Sequence, residues 1–256
     1  MLETSLAEEF HSFLESGDDV VEGALLVARI VNAQTDSQWC REELQRLAGF
    51  FGPGVIPLEL VDSLRDKGFC GVQDRDFNAE DSSLEKVLRE RSGIPISLAV
   101  VLIGVAEHLK LEAFGINFPQ RFLVAIGDVL VDPFAMEITT EHACRAWLRH
   151  HRISSRHAFK KVDAVDVVMR MLNNLRTLAS MVGDYGHALS LTDYQTILKP
   201  EACGLYIDRA EIWLLLGSTD MGRQELERAL LLADHQMKTR IRSRLKELPD
   251  DLAMPN

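Results

Sequence analysis

The chain has 256 residues, 46% hydrophobic and 26% charged, a balance that supports one large folded domain or two modest ones. Its formal net charge of -11 opposes attraction to phosphate backbones and anionic lipid, which disfavours nucleic acid and membrane surfaces as partners. Four cysteines, at 40, 70, 144 and 203, form no CxxC pair and no close framework, so they read as reduced thiols, and neither a metal site nor a cofactor is expected.

The opening MLETSLAEEF carries acids where an export signal needs a basic region. The longest apolar stretch, Ile96 to Ala106, has 11 residues, against roughly 20 for a membrane-spanning helix. A cytoplasmic protein is the expectation. From Leu6 to Gly49 apolar residues recur at helical spacing, as in Ala24, Leu25 and Ala28, then Leu44, Leu47 and Ala48. FFGPGVIP at 50 to 57 breaks that run, and a short helix is predicted from Pro57 to about Lys67. After an irregular GFCGVQDRDFNAED, residues Asp81, Ser82 and Ser83 are placed to cap a helix carrying Leu84, Val87 and Leu88.

In RSGIPISLAVVLIGVAEHLKL, Gly93 and Pro95 force a turn, and Pro95 suits the first position of a helix. That helix is apolar on nearly every face from Ile96 to Val105 and is predicted to lie in the middle of its domain. AFGIN, RFLVAIG and VLVDPF follow as short strands separated by Pro119 and by Gly127-Asp128, a small antiparallel sheet with a tight hairpin. The order makes an α+β fold, with a first domain over residues 1 to 145.

HACRAWLRHHRISSRHAFKK, at 142 to 161, is basic and histidine-rich, and residues 146 to 163 read as a linker. Beyond it, residues 164 to 256 read as an all-α domain with helices at about 164 to 182, 185 to 198, 201 to 216 and 219 to 235, and a final helix at 236 to 247. The glycine turns Gly183-Asp184 and Gly217-Ser218 are 34 residues apart, the period of tetratricopeptide hairpins. Tyr185, Ala188 and Pro200 suit the first repeat, and Tyr206, Ala210, Trp213 and Ala229 the second, although Gly222 stands where a small helix former is expected.

The run SSLEKVLRERSGIPISLAVVLIGVAEHLKLEAFGINFPQRFLV, continued by LVDPF, resembles the bacterial SirB-type family, with GIPIS, FP-x-x-FLV and VDPF as its specific elements. The resemblance implies a transglutaminase-like core followed by tetratricopeptide repeats. It also implies a catalytic plan of cysteine at a helix start, then histidine and aspartate on neighbouring strands, in which the imidazole takes a proton and the carboxylate orients it. Those positions fall on Ser97, Arg121 and Asp132. SirB-type relatives also carry a hydroxyl at the first position but keep histidine, in GHFLV, where this chain has Gln120-Arg121-Phe122. A guanidinium accepts no proton at neutral pH, and His108, 11 residues beyond Ser97, lies about 16 Å along the helix axis and cannot substitute.

The resulting expectation is a non-catalytic interaction or regulatory module that receives a protein or peptide through its helical repeats, with Arg121 and Asp132 as an ion pair. Two alternatives stand beside it. One is a hydrolase or acyl transferase using Ser97, and the other a small-anion site at Arg121 and Ser97. Cys70 is a minor nucleophile candidate, and His142, His150, His151 and His157 lack any metal-ligand spacing.

Overall fold

The structure, a computed structural model, describes residues 4–17, 19–72, 78–156 and 158–249. In chain order its elements are α1 (Thr4–Ser16), α2 (Val20–Val31), α3 (Ser37–Ala48), α4 (Pro57–Asp66), β1 (Cys70–Gly71), a 3-10 turn (Ala79–Ser82), α5 (Leu84–Glu90), β2 (Ser92–Gly93), α6 (Pro95–His108), β3 (Ala113–Phe118), β4 (Arg121–Ile126), β5 (Val129–Asp132), β6 (Glu137–Thr139), α7 (Glu141–His150), β7 (Lys160–Val162), α8 (Ala164–Met181), α9 (Tyr185–Leu198), α10 (Cys203–Leu215), α11 (Thr219–Leu232) and α12 (His235–Glu247). The chain divides into two compact units, residues 12–171 and residues 1–11 together with 172–256.

In the unit of residues 12–171, α6 begins at Pro95 and every residue from Ile96 to Ala106 is buried, as its uniform apolarity predicts. Helices α2, α3 and α5 pack on it. Gly104 permits the closest approach, since a Cβ there would sit 2.8 Å from Val21 Cγ2 and 3.0 Å from Leu44 Cδ1. The antiparallel sheet has the order β6-β5-β4-β3-β7. Gly127, at φ 58, starts the two-residue turn between Ile126 and Val129 and suits the type II′ geometry that matches strand twist. The β3 to β4 turn holds Pro119 and Gln120, and Gln120 takes φ 59, a left-handed conformation that costs a side-chain-bearing residue about 1 kcal/mol. Among the described residues no helix is long and apolar enough to cross a membrane.

The basic stretch read as a linker belongs to this unit instead. Helix α7 is capped by the Thr140 hydroxyl, which accepts from the Ala143 N–H at 3.1 Å. It buries Cys144 and Leu148 in a cluster with Ile116, Phe118, Leu123 and Ala125 of the sheet. Further on, β7 pairs with β3, Lys161 opposite Ile116. Apolar residues spaced among the charges therefore fold the segment, and the division between units falls at 171/172, not at 145 or 163.

The second unit also differs from its expected composition, because residues up to His11 of α1 belong to it. The Phe10 and Tyr194 rings lie 4.9 Å apart between centroids. Helices α10 and α11 pack on each other, with α9 and α12 outside them. Their core joins Ala210, Leu226, Ala229, Ala233, Ile241 and Leu248. A carboxylate lies within this unit: Glu225, 5% exposed, accepts from Arg209 at 3.1 Å, and Arg209 also donates to the Thr192 hydroxyl at 2.7 Å and pairs with Asp193.

Candidate functional site

Ser97 lies in the first turn of α6 and is 0% exposed. Its hydroxyl points back to backbone carbonyls, with Asp81 O at 2.7 Å and Ile94 O at 3.0 Å as acceptors. A side chain at position 93 is excluded, because a Cβ there would stand 2.7 Å from Ser97 Oγ and 2.6 Å from Val87 Cγ2. The hydroxyl proton is thus committed to the main chain, and the oxygen faces packed protein.

Arg121 and Asp132 do meet. Nη1 of Arg121 donates to Asp132 Oδ2 at 3.0 Å, while Asp132 Oδ1 accepts the Phe134 N–H at 3.0 Å. The guanidinium also lies 4.6 Å from the centre of the Trp147 ring. Both residues line a cavity of about 210 Å³ whose walls include Phe118, Leu123, Cys144 and Trp147. Ser97 takes no part in that cavity.

Strand alternation explains the separation. Arg121 lies opposite Phe118 and Leu123 opposite Ile116, on the face that α7 covers, and the Val124 to Val131 pairing puts Asp132 beside Leu123 on that same face. Phe122 points the other way, where it meets Gly115 and Val162. Ile103 of α6 shares a cavity with Gly115 and Val162 on that second face. The helix that carries Ser97 and the ion pair therefore occupy opposite sides of the sheet.

Trp147 and Cys144 were not legible as members of this cleft, although their spacing with Leu148 in α7 carries the signal of an apolar helical face. Burial pushes the Cys144 thiol pKa up, which outweighs the contact with Thr139 and keeps the sulfur protonated. Arg170 was also missed. It donates to Asn117 Oδ1 at 2.9 Å and to the Arg121 carbonyl at 2.7 Å, pinning the β3 to β4 hairpin, and burial lowers its pKa. Cys70 is exposed on β1, where its N–H donates to the Arg91 carbonyl at 3.0 Å. His157 lies outside the described residues, among which no group of three or more His, Cys, Asp or Glu could hold a metal ion.

A buried helix followed by antiparallel strands is the arrangement of a transglutaminase-like domain. The family model described as the transglutaminase-like superfamily matches residues 57–173. A UPF0162 protein of Pseudomonas aeruginosa is 31% identical over 196 residues, covering 74% of this chain and 73% of that protein. A UPF0162 protein of Vibrio cholerae is 28% identical over 207 residues, 72% and 74% of the two chains. SirB1 of Salmonella typhimurium is 24% identical over 174 residues, 61% of this chain and 65% of its own. The chain belongs to this SirB1/UPF0162 family of bacterial proteins. No solved structure gives a significant match.

Proposed function

We propose that this protein is a non-catalytic member of its family, an interaction or regulatory module whose α8 to α11 form tetratricopeptide-like hairpins that receive a protein or peptide segment. The observation that supports the reading is the state of Ser97, fully buried with its hydroxyl donated to main-chain carbonyls. Activation would require a base within hydrogen-bond reach, and the position expected for it holds Arg121, bound to Asp132. A receiving surface is available between α8 and α10, where Thr177, Ser180, Met181, Ile212 and Leu215 border a cavity of about 370 Å³. Intact-mass analysis after incubation with hydroxyl- and thiol-directed acylating probes tests the reading. The expected result is no adduct at Ser97, and a stoichiometric adduct that disappears in Ser97→Ala would overturn it.

A second reading, small-anion binding at Arg121, draws on one observation: the guanidinium side chain is 43% exposed beside an aromatic-walled cavity. Thermal-shift measurements with acetate, benzoate and inorganic phosphate, comparing wild type with Arg121→Ala, decide it, and equal shifts in both chains remove it.

A further inference from the structure

From Glu141 to Lys161 the chain carries six Arg and Lys residues against one Glu, within a protein of formal net charge -11. Surface cations elsewhere in the same unit are mostly neutralised by neighbours, as in Arg41 with Glu22, Arg46 with Glu43, Arg65 with Asp62 and Arg89 with Glu85. Here, among the described residues, only Arg145 has such a partner, Glu141. Arg149, Arg152, Arg156 and Lys160 are exposed and have no carboxylate partner among the described residues. The strip is fixed in place from below, since Leu148, Ile153, Ala158 and Phe159 pack against the sheet and β7 is paired to β3. Its charge is thus displayed on a rigid support, with the ordering cost already met by folding.

We infer that this strip is a docking surface for an acidic segment of a protein partner. Arginine predominates among its free cations, and the planar guanidinium fork matches a carboxylate through two parallel hydrogen bonds. Nucleic acid fits less well for two reasons. Base stacking needs open aromatic faces, yet Trp147 already carries the Arg121 guanidinium at 4.6 Å and the His151 ring at 4.1 Å, and Phe159 carries Arg145 at 5.0 Å. An extended polyanion would also run off the strip onto acidic surface, whereas a short acidic segment need touch only the strip. The surface shares no residue with the α8 to α10 cavity, so the outcome is independent of that reading.

Fluorescence anisotropy with the full chain tests the inference, using a labelled glutamate-rich peptide and an oligothymidylate of the same charge. The peptide is expected to bind, and to bind more weakly as salt is raised. Combined Arg149→Glu, Arg152→Glu and Arg156→Glu changes are expected to weaken it at least about tenfold, while Arg242→Glu with Lys246→Glu on α12 leaves it unchanged. Thermal melts establish that each variant is folded, and the neutral Arg149→Gln, Arg152→Gln and Arg156→Gln chain replaces the reversed one if that chain unfolds. Absence of peptide binding, tighter binding of the oligothymidylate, or undiminished binding by the altered strip overturns the inference.

Discussion

Arg121 and Asp132 are joined across β4 and β5 at 3.0 Å, but the two partners are not equivalent, because Asp132 also accepts the Phe134 N–H. Asp132→Ala breaks an ion pair and a turn together, whereas Arg121→Ala removes a half-exposed cation. Urea denaturation is expected to give a loss of about 0.5 kcal/mol for Arg121→Ala and about 1 to 2 kcal/mol for Asp132→Ala. Equal losses would mean that the turn contributes nothing.

Supplying the missing residue types does not supply their convergence. The double variant Ser97→Cys, Arg121→His is expected to remain unreactive toward iodoacetamide at position 97 under native conditions, because α6 and the Arg121 side chain lie on opposite faces of the sheet. Peptide mapping reads this directly. Rapid alkylation at 97 would show that the pocket opens.

Packing around Ser97 predicts an order of stability effects. Ser97→Ala loses buried hydroxyl bonds to Asp81 and Ile94 and is expected to cost about 1 kcal/mol. Gly93→Ala forces a Cβ to within 2.6 Å of Val87 Cγ2 and is expected to cost about 2 to 3 kcal/mol. Melting temperatures that reverse this order would be inconsistent with the packing described.

Cys40 makes stability fall in alkali. Burial, with Glu85 adding to it, pushes its thiol pKa from 9.0 up to about 12. Below pH 9 both states hold the proton. Above it the unfolded chain releases the proton and the folded chain does not, so stability drops by up to about 1.4 kcal/mol per pH unit until the folded thiol ionises. Cys40→Ala, though less stable at neutral pH by about 1 kcal/mol, is expected to show a shallower decline between pH 9 and 12 in denaturant titrations.

In the helical unit, Arg209 neutralises Glu225, which is only 5% exposed, and holds Asp193 as well. Arg209→Met strands a buried carboxylate and is expected to cost about 3 kcal/mol or more. Adding Glu225→Gln is expected to restore part of that loss, a coupling that a double-mutant cycle measures.

The elements with strong periodicity were legible in the sequence, and those held by a few residues were not. Pro95 and the unbroken apolar run predicted α6, and the breaks at Pro119 and Gly127-Asp128 predicted an antiparallel sheet with a tight hairpin. Strands β6 and β7 span three residues each, too short for alternation to register, and β7 reads Lys-Lys-Val. Six cations masked the apolar positions of the α7 region, which therefore read as a linker. Residue chemistry showed that Arg121 would not serve as a base and would pair with Asp132. That Ser97 lies across the sheet from this pair depends on strand register, which no local pattern encodes. Gly222, which departs from the repeat pattern, has a packing reason: a Cβ there would lie 2.9 Å from Leu214.

Helix α6 has a consequence for how the protein is made. Residues 96–106 are buried together, yet β3 and β4, which cover one side of them, are translated later. During synthesis a wholly greasy rod is therefore left half-dressed until the ribosome has released the sheet. The nascent chain is most prone to self-association and most in need of a chaperone in that interval.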